Sequence, residues 1–101
     1  MVKKEREISW APKAIKQFNT AIEYIRQDSD QNADSVKEKI LAKINKLSDE
    51  TVTHRADEYK NNNDGRFRYF ELLNYRVSYY VNADEVSIVR LRHVSKKPLY
   101  Y

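Results

Sequence analysis

From Tyr75 to Val81 the chain alternates strictly: Tyr75, Val77, Tyr79 and Val81 fall on one face of a strand, and Arg76, Ser78 and Tyr80 on the other. A strand of this kind needs something to cover its apolar face. The next run, Glu85 to His93, follows after only Asn82-Ala83-Asp84, a connection short enough for a tight hairpin. Two antiparallel neighbours then bring Arg76, Arg90, Arg92 and His93 close together, and this cationic cluster is the first place to look for function. Period-2 counting puts His93 on the opposite parity from Arg90 and Arg92. Arg76 and His93 are therefore expected to form the working pair, with Arg90 and Arg92 turned toward the helices or toward a protein partner.

The rest of the chain supplies the cover. Glu5 to Trp10 reads as a short first strand with Ile8 and Trp10 on one face. Pro12 suits the first turn of a helix, where its missing N–H costs nothing. Ile15, Phe18, Ile22 and Ile25, with Ala14 and Ala21 beside them, then recur at helical spacing as one apolar stripe and predict a helix ending near Asp28. Ser29, Asp30 and Asn32 are N-cap and turn residues that start a second helix, whose stripe is Ala33, Val36, Ile40, Ile44 and Leu47. Ser48 to Gly65 is polar and reads as a loop, with Asn63-Asp64-Gly65 as a turn into a strand and His54 solvated within it. Arg66 to Leu72 alternates again and turns at Leu73-Asn74. Val86 to Leu91 is apolar on both parities, which predicts an inner strand covered on both faces. The predicted fold is α+β in the order β-α-α-β-β-β: a single domain over residues 1–101 with a helical hairpin on one face of a small, mostly antiparallel sheet. The other sheet face is left to arginines, tyrosines and the tail, a surface suited to nucleic acid.

Composition narrows the chemistry. A chain of 101 residues with 41% hydrophobic and 34% charged residues, one Gly and two Pro is that of a compact, highly charged domain. No cysteine is present, which excludes disulfides, thiolate catalysis and Cys-based zinc sites. No segment approaches the roughly 20 apolar residues that span a bilayer, and Met1 to Glu7 lacks the apolar core of a leader, so a cytoplasmic location is expected. The net charge of +4 resides wholly in the C-terminal third: Arg66, Arg68, Arg76, Arg90, Arg92, Lys96 and Lys97 face only Glu71, Asp84 and Glu85 there. Arginine dominates, the side chain suited to bidentate phosphate or carboxylate contacts. A polyanion or an acidic partner is implied.

Several pieces in this order, Ile8-Ser-Trp-Ala-Pro-Lys-Ala14, Ile22-Glu-Tyr-Ile25, Ile40 to Leu47, Gly65-Arg-Phe-Arg68, Asn74-Tyr-Arg-Val-Ser-Tyr79 and Ile88-Val-Arg-Leu-Arg-His93, resemble the toxins of the RelE/ParE superfamily of bacterial type II toxin-antitoxin modules. The resemblance covers nearly the whole chain. It implies a poison held inactive by a cognate antitoxin, with no cofactor, metal or membrane involved. RelE-like members cut mRNA, mostly on the ribosome and without a metal, whereas ParE-like members inhibit DNA gyrase and are not nucleases. The shared fold does not choose between them.

The main expectation is a RelE-like, ribosome-dependent mRNA endoribonuclease; the alternative is a ParE-like gyrase inhibitor. Cleavage through the ribose 2′-OH needs a proton acceptor, a proton donor and cations against the charge building on the phosphate. By resemblance, Arg76 is the phosphate clamp, His93 the acid or base, and Tyr100 (or Tyr101) the residue at the scissile nucleotide. Arg66, Arg68, Lys96 and Lys97 are the corresponding substrate-binding cations. A bland role for Arg76 is an ion pair with Glu71 across the hairpin.

Overall fold

The computed structural model describes residues 5–101; residues 1–4, part of the N-terminal stretch read above as lacking a leader, lie outside the described residues. Strand β1 is Glu7–Trp10, followed by helix α1 at Pro12–Arg26 and helix α2 at Asp30–Asn45, which tightens into a 3-10 turn at Lys46–Ser48. Strands β2 (Arg55–Ala56), β3 (Phe67–Leu72), β4 (Tyr75–Val81) and β5 (Glu85–His93) complete the chain. The sheet order is β1-β5-β4-β3-β2, with β1 parallel to β5 and the other pairs antiparallel. This is the predicted architecture plus the two-residue strand β2, inside the segment read as a loop.

The helices form where the residues allow. Pro12 opens α1, and the Ser29 hydroxyl caps α2 by accepting the Asn32 N–H at 3.0 Å. Ser29→Ala is expected to lower stability by about 1 kcal/mol, read from the urea midpoint. The α2 stripe is buried as predicted, at Ala33, Val36, Ile40, Ile44 and Leu47. On α1 the stripe is rotated: Ala14, Phe18 and Ile22 are buried, while Ile15 is 45% exposed. Within the apolar stripe Ala14 therefore takes the core-facing position and Ile15 the outer edge.

These stripes pack on Tyr75, Val77 and Tyr79 of β4 and Val86, Ile88 and Leu91 of β5, which form one core with Phe70. The β3–β4 hairpin turns on Leu73 and Asn74, both at positive φ (52° and 70°), as a two-residue turn between right-twisted strands requires.

One irregularity decides which side chains share a face. Ser78 pairs with Arg90 and Tyr79 with Ile88, so Val89 is an extra residue in β5, a β-bulge. Its trace in the sequence is the apolar spacing Val86, Ile88, Leu91, which changes parity. The mixed parity of β5 thus comes from the bulge, and the reading of two covered faces is corrected on this point. Downstream of the bulge, Arg92 pairs with Arg76 and His93 with Tyr75. Arg90 and Arg92 therefore lie on the same face as Arg76, and His93 lies on the helix side. The parity count that set Arg90 and Arg92 apart from Arg76 is thus corrected, and His93 comes near Arg76 only by its place at the sheet end.

Candidate functional site

The sheet face turned away from the helices carries Phe67, Tyr69 and Glu71 from β3, Arg76, Ser78 and Tyr80 from β4, and Arg90 and Arg92 from β5. Two pieces of chain cross it. The loop after β2 brings down Asp57, Glu58 and Tyr59, and the last residue, Tyr101, pairs with that loop: its N–H donates to the Tyr59 carbonyl at 2.9 Å, and its own carbonyl accepts the Asn61 N–H at 2.6 Å.

Arg76 sits at the centre with its side chain only 12% exposed. Its Nη2 donates to Asp57 Oδ1 at 2.8 Å and also meets Glu58, while Nη1 lies 3.6 Å from Glu71. The cross-hairpin pair with Glu71 is thus present, as the weakest of three. The guanidinium is sandwiched between two rings, 3.5 Å from the centroid of Tyr69 and 4.5 Å from that of Tyr59.

Asp57 is the counterpart, 1% exposed. Its Oδ1 also accepts the Tyr59 N–H at 3.0 Å, and its Oδ2 accepts the Tyr101 hydroxyl at 2.6 Å. Burial pushes the Asp57 carboxyl up, but the bonds from Tyr101, Arg76 and the Tyr59 amide outweigh it and hold the group below the usual Asp range. Burial, and then the bond to Asp57, push the Tyr101 hydroxyl well above the usual tyrosine range.

His93 closes β5. Its ring stands edge-on to Tyr75 at 5.1 Å, and its Nδ1 accepts from the Ser95 N–H at 3.1 Å and meets the Ser95 hydroxyl at 2.7 Å. Placed at the sheet end, His93 borders two depressions. One, of about 540 Å³, lies between α1 and the sheet against Lys16, Gln17, Thr20, Tyr24 and Tyr75. The other is a hollow of about 110 Å³ where Arg76, Arg90, Arg92, Lys96 and Lys97 also converge. Tyr100, 62% exposed, is outside that lining and rests edge-on against Tyr59 at 5.4 Å.

The structure brings Arg76, His93, Lys96 and Lys97, with Arg90 and Arg92, to one hollow and leaves Tyr100, Arg66 and Arg68 outside it. Arg66 is exposed and pairs with Asp64 at 3.5 Å. Arg68 donates to the carbonyls of Gly65 (3.0 Å) and His54 (2.7 Å), tying β3 to the loop before β2. His54 is not solvated: its Nδ1 lies 2.9 Å from the Tyr79 hydroxyl and its ring packs on Phe70, and burial followed by the nearby Lys43 holds it below the usual histidine range. Asp57 has no signal of its own in the sequence, since it stands in a polar run, and Tyr101 is marked there only as the alternative to Tyr100, with nothing to tie it to Asp57. Among the described residues no group of three or more His, Cys, Asp or Glu side chains is placed to hold a metal ion, and no helix is long and apolar enough to cross a membrane.

Comparison with known proteins bears on the fold and the family. Among curated protein sequences no match is found. A solved structure described as the chromosomal ParDE TA system from P. aeruginosa superposes with a TM-score of 0.73 at 16% identity, covering 91% of this chain and 99% of that one, which shows a shared fold. Residues 8–98 match the model of the ParE toxin of the type II toxin-antitoxin system parDE. A match over nearly the whole chain settles the family: this protein belongs to the ParE toxins of type II toxin-antitoxin systems.

Proposed function

We propose that the protein is a toxin that inhibits DNA gyrase, acts in the cytoplasm and is neutralised by a cognate antitoxin. The observation that carries this reading, beside the family, is the state of Arg76. A phosphate clamp needs a guanidinium with free N–H donors. The Arg76 terminal nitrogens instead face Asp57, Glu58 and Glu71, and both faces of its plane are covered by Tyr59 and Tyr69. A phosphate at Arg76 would have to compete with three carboxylates for the terminal N–H donors. His93 likewise has Nδ1 committed to Ser95 and its ring against Tyr75, and Tyr100 stands apart. These commitments favour a folded platform over a proton-transfer site.

The reading is tested with purified gyrase and relaxed plasmid. Added toxin is expected to suppress supercoiling or trap cleaved DNA, and added antitoxin to relieve the effect. Undisturbed supercoiling together with toeprint-detectable mRNA cuts on translating ribosomes, lost in His93→Gln, would overturn it in favour of the nuclease.

A further inference from the structure

The arginines on this sheet face are unequal. Arg76 is surrounded by carboxylates, whereas Arg90, only 6% exposed, has no carboxylate within 4 Å and no side-chain hydrogen bond among the described residues. Its contact is the ring of Tyr101, 4.0 Å from the guanidinium carbon. A buried cation without a counter-charge is costly. Burial is the main influence against the charge on Arg90; Tyr101 and the more distant Asp57 offset part of it, and Arg92 and Arg76 add to it.

Around the same hollow stand Arg92, Lys96 and Lys97, with Glu71 as the one acid in the lining. Arg92 holds the rim in place by donating to the Lys97 carbonyl at 3.1 Å. A hollow of about 110 Å³, lined by the buried Arg90, which has no ion pair among the described residues, and by Arg92, Lys96 and Lys97 beside the carboxylate-paired Arg76, fits a small multivalent anion.

We propose that this hollow binds a single phosphate group, with Arg90 as the floor and Arg92, Lys96 and Lys97 as the rim. A phosphate monoester matches the charge better than a carboxylate, since its two negative charges answer a lining that retains several positive ones after Glu71 is counted. The group would come from free phosphate or from the 5′ end of a nucleic acid, and the site recognises what the two share. The inference stands apart from the choice of gyrase as target.

The test is an NMR titration of the full chain at constant ionic strength, following the Nε–Hε signals of its arginines. Inorganic phosphate is expected to shift the Arg90 and Arg92 signals saturably, while sodium acetate shifts them little. A short DNA oligonucleotide with a 5′-phosphate, compared with the same strand lacking it, separates the two sources; a saturable response in either phosphate arm supports the site. Arg90→Gln is expected to weaken binding about tenfold or more, and Lys39→Gln, on the outer side of α2, to leave it unchanged. Should Arg90→Gln fail to fold, Arg92→Gln and Lys97→Gln serve instead, each expected to weaken binding severalfold. Shifts that do not saturate, that acetate reproduces, or that survive these substitutions would overturn the proposal.

Discussion

Asp57→Ala is expected to lower the unfolding free energy by about 3 kcal/mol, because it leaves Arg76 buried with its best partner gone. Glu58 and Glu71, at 56% and 50% side-chain exposure, are too solvated to replace a carboxylate that is fully enclosed. Removal also strands the Tyr101 hydroxyl and the Tyr59 N–H, both of which donate to Asp57. Urea denaturation of Asp57→Ala, Arg76→Met and the double variant gives the coupling directly: the double variant should be more stable than the sum of the two losses. Additive losses, or a single loss below about 1 kcal/mol, would remove the pair from its structural role. The pH dependence has a defined sign. Asp57 is held below its ordinary value when folded, so its contribution is present above the unfolded value near 4 and is lost as pH falls through the lower folded one. Wild type should therefore lose stability in that acid window more steeply than Asp57→Ala.

The same cluster marks where reading the sequence succeeds and where it stops. Periodicity located both helices, four of the five strands and nearly all of the core, because a helix stripe or an alternating strand is written in residues a few positions apart. Ile15 and Ala14 show the first limit. Spacing gives the apolar side of a helix to within a residue, and packing against the rest of the fold then decides which of two neighbours is buried. Val86, Ile88 and Leu91 show the second. Their change of parity was visible and admits two explanations, a doubly covered strand or a bulge, and only the register with β4 separates them. Asp57 was not legible. It stands 19 residues from Arg76 and 44 from Tyr101, so its burial is created wholly by distant partners, and a single acid in a polar run carries no mark of that. The bulge is also what aligns Arg90 and Arg92 with Arg76, which is why counting parity alone set them apart.

Tyr101→Phe is expected to cost about 1.5 to 3 kcal/mol, the range for a hydrogen bond to a charged group, although it removes one oxygen from the last residue of the chain. The hydroxyl donates to Asp57 at 2.6 Å, and phenylalanine leaves Oδ2 without that donor in an enclosed site. Tyr101→Ala should cost more, since the ring also carries Arg90 at 4.0 Å, Lys60 at 5.5 Å and an edge contact with Phe67. The two variants separate the bond from the packing. The alkaline limb supplies an independent check. The Tyr101 hydroxyl is held above its ordinary value, so its contribution is present below the unfolded value near 10 and is lost as pH rises beyond it. Urea midpoints at pH 8 and pH 10.5 should fall further for wild type than for Tyr101→Phe. Equal falls would mean that the hydroxyl is not held protonated by Asp57, and the tail would then be anchored by its ring and backbone contacts alone.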